Sequence, residues 1–106
     1  MKLRDLAHAR AGDKGDTSNI ALIAHDPAEF GWLAEQVTEA RVKAHFGAMV
    51  GGEVLRYALP QLGALNFVLH GTLGGGVTRS LSLDAHGKSL SSSLLEMEIA
   101  PPPGRG

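Results

Sequence analysis

Residues 53–70 read EVLRYALPQLGALNFVLH, and this stretch decides the fold. Two runs in it place an apolar residue at every second position: Leu55, Tyr57 and Leu59 in the first, and Leu65, Phe67 and Leu69 in the second. A period of two is typical of half-buried β-strands, and the intervening Pro60 and Gly63 are turn formers. The stretch therefore predicts a β-hairpin, and we expect its two apolar rows to share one core.

A capped helical segment lies on the N-terminal side of this hairpin. Asp26 is an N-cap residue, Pro27 takes the first helical position, and Glu29 completes a capping box. Apolar residues then recur at helical spacing, and Thr38 can cap a second helical turn. The pattern predicts one long helix over residues 27–48, with a break near Thr38.

The remaining elements are shorter. Residues 3–9 and 20–24 are predicted strands, joined in a wide hairpin by a polar loop over residues 10–19. Alternation over residues 77–83 predicts a further half-buried strand, and an apolar i, i+4, i+7 pattern from Leu90 predicts a final short helix.

These elements define the fold class as α+β, because helices can cover one face of an antiparallel sheet. We expect a ferredoxin-like sandwich with a sheet of about four or five strands under one long and one short helix. The N-terminal strand is expected to occupy the position that the last strand takes in a βαββαβ order. We assign residues 1–99 to this domain and residues 100–106 to a disordered tail, because consecutive prolines there prevent helix or ladder formation.

Composition limits the function classes. The chain has 106 residues, a formal net charge of −1 and no cysteine, so thiolate chemistry and disulfides are excluded. Its basic residues are scattered, which argues against a nucleic-acid partner. No apolar run approaches the roughly 20 residues of a membrane span. The N-terminus lacks the apolar region of a secretory signal, and we expect a cytoplasmic protein without a membrane partner.

A polar run over residues 5–20, DLAHARAGDKGDTSNI, is the first candidate site. Asp13 and Asp16 can hold a divalent cation or act as acid and base, whereas Lys14 and the glycine amides can cradle an anion. The structural alternative is a tight turn, but one turn needs only one or two such residues. We assign no metal, because Asp-x-x-Asp is a weak ligand pattern. The candidates are Arg10, Gly12, Asp13, Lys14, Gly15, Asp16, Thr17, Ser18 and Asn19.

A glycine-rich run over residues 71–80, GTLGGGVTRS, is the second candidate site. Its amides can approach a phosphate closely, and its polar side chains can donate to one. A turn before an edge strand is an equal alternative, since neither the P-loop nor the Rossmann glycine pattern is met. The ligand-binding candidates of this second group are Asn66, Gly74, Gly75, Gly76, Thr78 and Arg79.

We predict that the two runs converge on one cleft. Lys14 and Arg79 would hold an anionic group such as a CoA phosphate or carboxylate, while the two aspartates orient those cations, bind a metal or move a proton. Asn66 and His70 would line the floor, and His8 is expected to face the same cleft. The catalytic candidates are Asp13, Lys14, Asp16 and His70.

Several stretches together resemble one family: HARAGDKGDTSNIALIA at 8–24, RVKAHF at 41–46, LGALNFVLHGTLGGGVTRSL at 62–81, and HGKSL with LLEMEI near the C-terminus. The chain resembles the ferredoxin-like C-terminal domain of AtuA-type acyclic terpene utilisation proteins, here as a stand-alone short chain. The resemblance implies a setting in the catabolism of terpenoid or branched acyl-CoA compounds, and it supplies neither catalytic residues nor a cofactor. Relatives often carry Ser at the position of Ala11, so any contact of that hydroxyl is absent here.

Two functions follow. In longer relatives this domain follows a large N-terminal domain, so the chain is expected to be an accessory subunit that docks on a large AtuA-like protein. Trp32 and Met49 are then candidate interface anchors. The alternative is a free-standing small enzyme or binding protein for an anionic acyl-CoA-like ligand. In both cases we expect an oligomer, and the sequence leaves open whether the chain is itself an enzyme.

Overall fold

The structure, a computed structural model, describes residues 1–14, 17–71 and 89–103, with the backbone alone at 13, 14 and 89. The strands are β1 (Ala7–Lys14), β2 (Thr17–Ala24), β3 (Val54–Leu59) and β4 (Ala64–His70). The helices are α1 (Phe30–Gln36), α2 (Glu39–Phe46) and α3 (Ser89–Leu95). Short 3-10 turns cover Leu3–Asp5, Pro27–Glu29, Gly47–Met49 and Pro60–Leu62.

The four strands form one antiparallel sheet in the order β1-β2-β4-β3. β2, the helical segment and β3 make a crossover unit, and β4 lies between the two strands of that unit. β1 flanks β2 on the outside, in the position that the last strand takes in a βαββαβ sheet. The fold is therefore the expected α+β, ferredoxin-like arrangement, and the predicted placement of the N-terminal strand is confirmed.

One face of the sheet packs under the helices and holds the core. The fully buried side chains include Ile20 and Leu22 of β2 and Leu65, Phe67 and Leu69 of β4. They form one cluster with buried apolar residues of the helices: Leu33, Val37, Val42, Phe46, Leu90 and Leu94. Every second residue of β2 and β4 is buried, and the helices bury one face against them, as a two-layer α+β domain requires.

The helical segment breaks where the sequence predicts it. Asp26 accepts a hydrogen bond from the Ala28 amide at 3.0 Å, which caps the first turn. After α1 the backbone of Val37 leaves the helical region, and Thr38 Oγ1 then accepts from the Arg41 amide at 3.2 Å. Each cap satisfies an amide that the helix itself cannot, so the segment continues as a second helix. The predicted short C-terminal helix is also present, as α3.

The N-terminal hairpin differs from the expected wide loop. Leu3–Asp5 forms a 3-10 turn, and β1 begins at Ala7 and runs to Lys14, which pairs with Thr17. Most of the predicted polar loop is therefore strand. The physical reason is that only alternate residues of β1 need to be apolar, and small alanines fill those inward positions while polar residues face outward.

The predicted orientation of β3 is wrong. Tyr57 pairs with Asn66, the outward neighbour of Phe67, and Tyr57 is 52% exposed while Phe67 is 0% exposed. Leu55 likewise pairs with outward-facing Val68, so the two apolar rows of the hairpin lie on opposite faces. Arg56 takes the inward side.

The Arg56 guanidinium explains this orientation. It donates to the Ala34 carbonyl at 2.6 Å and to the Val37 carbonyl at 2.9 Å, and both carbonyls lie at the end of α1. The last carbonyls of a helix have no intrahelical donors, and a cation there also interacts favourably with the helix dipole. β3 lies at the sheet edge, where Arg56 faces this helix end, while Val54 at the start of the strand still packs in the core cluster.

The C-terminal segment packs against the helices as far as it is described. Trp32 Nε1 donates to the Ala100 carbonyl at 2.9 Å, the Ala100 amide donates to Gln36 Oε1 at 3.0 Å, and Pro102 is buried. The division into residues 1–99 and a tail over 100–106 stays a prediction. The predicted strand over residues 77–83 lies outside the described residues.

Candidate functional site

Two of the predicted site residues meet at one end of the sheet. Thr17, the first residue of β2, lies opposite His70, the last residue of β4, and Thr17 Oγ1 is 3.4 Å from His70 Nδ1. Lys14, the last residue of β1, lies opposite Thr17 on the other side. We call Lys14, Thr17 and His70 the terminal row. Both described side chains of this row are half-buried.

The connection within the first candidate run and the whole second candidate run both start at this terminal row. The connection over residues 15–16 joins Lys14 to Thr17, and the segment over residues 72–88 follows Gly71, directly after His70. Because Thr17 and His70 are neighbours across the sheet, the points where the two runs leave it are adjacent. The described ranges do not include Gly15, Asp16, Gly74, Gly75, Gly76, Thr78 and Arg79 or the side chains of Asp13 and Lys14.

Close backbone packing holds His70 in place. The Gly52 amide donates to the His70 carbonyl at 2.9 Å, and the His70 amide donates to the Glu53 carbonyl at 2.9 Å. A Cβ built on Gly52 would lie 2.9 Å from the His70 Cβ, so only glycine fits there. Gly71 has a φ of 75°, in the left-handed region that favours glycine, where the chain turns away from β4. Lys43 Nζ also donates to the Gly52 carbonyl.

Four further candidates share the outward face but lie farther along the strands. Gly12 pairs with Asn19, and Arg10 and Asn66 flank Ala21. At roughly 3.3 Å per residue, Asn19 is about 7 Å from Thr17 and Asn66 about 13 Å from His70 along their strands. Asn66 and His70 therefore face the same side, as expected, but only Asn19 and its cross-strand partner Gly12 lie close to the terminal row.

Ser18 is separated from the other candidates. It follows Thr17 on β2 and is 1% exposed, on the face under the helices. A ligand at the terminal row contacts outward side chains, so Ser18 lies on the wrong face to bind it together with Thr17 and Asn19.

The expectation that His8 and His70 face one cleft is wrong. His8 pairs with Ile23, whereas His70 pairs with Thr17, six residues away on the same strand. That spacing corresponds to about 20 Å. The His8 ring instead stacks on His25 with ring centroids 5.6 Å apart. β1 and β4 are both antiparallel to β2 and run in the same direction, but His8 lies near the start of β1, whereas His70 is the last residue of β4.

A charge cluster lies on the N-terminal segment, where Lys2 Nζ is 3.0 Å from Glu96 Oε1 and Arg4 Nη1 is 2.9 Å from Glu96 Oε2. The hydrogen bond from Lys2, together with the charge of Arg4, lowers the pKa of the exposed Glu96 carboxyl below its ordinary value. Within the described residues, no group of three or more His, Asp or Glu side chains is placed to hold a metal ion.

The two residues expected to anchor a partner lie against the core instead of on an exposed surface. Trp32 and Met49 are partly buried and pack against the core cluster. Large exposed apolar side chains are found elsewhere, at Tyr57, Leu59 and Leu62. The exposed row of β3 was missed because alternation shows which residues share a face but not which face is inward. In the described part of the chain, no helix has both the length and the apolarity to span a bilayer.

The fold and the polar end of its sheet define a small ferredoxin-like α+β domain with candidate binding residues at one sheet end. The model of the AtuA ferredoxin-like domain matches residues 1–100, and the chain belongs to this family. No curated protein and no solved structure matches the chain.

Proposed function

We propose that this chain is the accessory subunit of a large AtuA-like protein and contributes a polar site to it, in the catabolism of terpenoid or branched acyl-CoA compounds. The observation that carries the proposal is the match of the AtuA ferredoxin-like domain over residues 1–100. A domain that is fused to a larger one in relatives usually contacts it, so this domain is expected to bind the same kind of partner.

The proposed site is built on the terminal row. Thr17 and His70 supply a hydroxyl and an imidazole within 3.4 Å of each other. An imidazole can donate or accept a hydrogen bond, and a hydroxyl beside it can orient the ring or a bound group. The adjacency of the two connections at this row supports a site that also takes residues from both of them.

The proposed ligand is an anionic acyl-CoA-like compound. Lys14 and Arg79 would bind its phosphate or carboxylate, and the amides of the glycine-rich run would add donors. Asp16 would orient the cations or transfer a proton, and Asp13 is left out of the proposed site because its backbone pairs with that of inward-facing Ser18. Because a charged hydrogen bond contributes about 1.5–3 kcal/mol, Arg79→Ala should weaken binding of coenzyme A by that amount.

The first experiment mixes the purified chain with the purified large AtuA-like protein of the same organism and measures association by sedimentation velocity. The proposal predicts a complex heavier than either protein. Absence of a complex at tens of micromolar would refute the subunit function.

The second experiment measures binding of coenzyme A by calorimetry, to the complex and to each protein alone. The complex is expected to bind most tightly, and Thr17→Val and His70→Ala should weaken binding. His25→Ala is the matched control, because this exposed histidine lies at the opposite sheet end, beside His8. Equal binding by the isolated chain would instead support the free-standing alternative.

A further inference from the structure

The sheet face opposite the helices carries an exposed surface. We call it the open face and define it by three cross-strand rows that pair in register across the four strands. These rows are His8–Ile23–Ala64–Leu59, Arg10–Ala21–Asn66–Tyr57 and Gly12–Asn19–Val68–Leu55. Tyr57 is 52% and Leu59 42% exposed, and both are large side chains at the β3 end of their rows. Exposed apolar clusters of this kind usually mark interaction sites.

Charge is distributed unevenly over the open face. Its β1 side carries Arg10 and His8, both exposed, and its β3 side carries the apolar group Leu55, Tyr57 and Leu59. No outward position of the four strands in these rows is Asp or Glu. A complementary occupant must therefore present carboxylates opposite β1 and apolar side chains opposite β3.

These features argue against three other occupants. RNA-binding sheets of this fold type stack bases on aromatic residues of the central strands, but β2 and β4 present Asn19, Ala21, Asn66 and Val68. In a second copy docked through the same face, Arg10 would lie opposite either the other copy's Arg10 or its apolar group, and these rows contain no carboxylate to pair it. Pairing of a partner strand with the outer edge of β3 is disfavoured, because the Arg56 amide on that strand already donates to Glu39 Oε2 at 2.7 Å.

We propose that the open face is the docking surface for an acidic and apolar protein surface on the large AtuA-like partner. This inference rests on the proposed function and specifies which surface carries it. Tyr57 is the anchor, since aromatic residues supply large rigid contact areas at interfaces, and Arg10 pairs with a partner carboxylate. The partner then extends to the terminal row, so Thr17 and His70 lie at the margin of the interface.

The test measures the Kd of the purified chain for the purified large AtuA-like protein by calorimetry. Leu59→Glu places a carboxylate on the open face, and the Kd should rise about tenfold or more. Ala40→Glu is the matched control, because it adds the same charge at an exposed position of α2 on the other face, and its Kd should stay within about twofold of wild type. Arg10→Ala should both weaken binding and reduce its dependence on salt.

The outcomes separate the two proposals. Wild-type binding with an unchanged Kd for Leu59→Glu would overturn the docking surface and leave the subunit function standing. No wild-type binding would refute both. A wild-type homodimer that Leu59→Glu dissociates would identify a second copy as the occupant and overturn the inference. The free energy of unfolding of each variant is measured alongside. If Tyr57→Ala lost as much stability as truncation of a core residue, the chain itself would cover the open face, and the docking proposal would be overturned.

Discussion

Replacing Phe67 by Ala tests the face assignment of the whole sheet. Phe67 is 0% exposed at the centre of β4, between Ile20 of β2 and Arg56 of β3 in register. Truncation of a buried phenylalanine removes its transfer free energy and leaves a cavity, at a cost of about 3–5 kcal/mol. That is a large part of the roughly 5–15 kcal/mol by which a domain is stable.

The matched control is Tyr57→Ala on the neighbouring strand. Tyr57 is of similar size but 52% exposed, so its truncation should cost about 1 kcal/mol, in line with the loss of half a buried side chain. With an unfolding entropy of roughly 2.1 cal/mol/K per residue, each kcal/mol lowers the Tm of this chain by about 4–5 °C. We therefore expect a drop of about 13–22 °C for Phe67→Ala and about 5 °C for Tyr57→Ala.

Calorimetric melting and urea titration of the two variants give the comparison directly. The urea slope should be unchanged in both, which shows that only stability differs. Equal losses for the two aromatics would refute the assignment of Tyr57 to the open face and, with it, the description of β3 as an edge strand turned away from the core.

Two further predictions concern other parts of the chain. Gly52→Ala should destabilise the domain by more than about 1 kcal/mol in urea titration, because the added Cβ would collide with His70. The control is Gly31→Ala in α1, whose added Cβ would meet nothing within 4 Å and which should stabilise the domain by about 0.5–1 kcal/mol. An unchanged stability of Gly52→Ala would contradict the close packing of Gly52 against His70. Lys2→Ala should raise the pKa of Glu96 in an NMR titration, because it removes the hydrogen bond that lowers this pKa. Since the pKa of Glu96 is lower in the folded than in the unfolded chain, its small contribution to stability is present above the unfolded pKa and is lost as the pH falls through the folded pKa. An unchanged pKa would show that Lys2 is not the partner of Glu96.

Local chemistry made the helical segment predictable. The caps at Asp26 and Thr38 could be predicted from the sequence, because each needs only a side chain and an amide two or three residues further along the chain. Long-range pairing was predictable where it followed from the general fold, as for the position of β1. The C-terminal helix followed from its own apolar period.

The face of β3 was not predictable from its alternation. The choice of inward residue depends on Arg56 meeting carbonyls at the end of α1, about 20 positions away in the chain, and no local pattern encodes that contact. Register explains the other differences. The short connection between Lys14 and Thr17 aligns Thr17 with His70, and a Gly-Asp pair between two strands is a known two-residue hairpin signal that could have indicated it.

Part of the candidate site lies within the described residues. Thr17 and His70 meet, Asn19 lies nearby, and Ser18 faces the other way. The inward direction of Ser18 follows from period-two alternation once Thr17 is known to face outward. The sequence alone does not show which of these two neighbouring hydroxyl residues faces outward. The shared cleft with Arg79 stays a prediction.

The strand order has a consequence for how the chain folds. The sheet consists of two hairpins whose strands are near neighbours in sequence, β1 with β2 and β3 with β4, and the seam between them joins β2 to β4 across the entire helical segment. Closing that seam costs the entropy of a loop of about 40 residues, whereas each hairpin closes a loop of only a few. We therefore expect this seam to be the slow, rate-limiting contact of folding. We expect substitutions along the seam, at Ile20 or Phe67, to slow folding, and those confined to one hairpin mainly to speed unfolding.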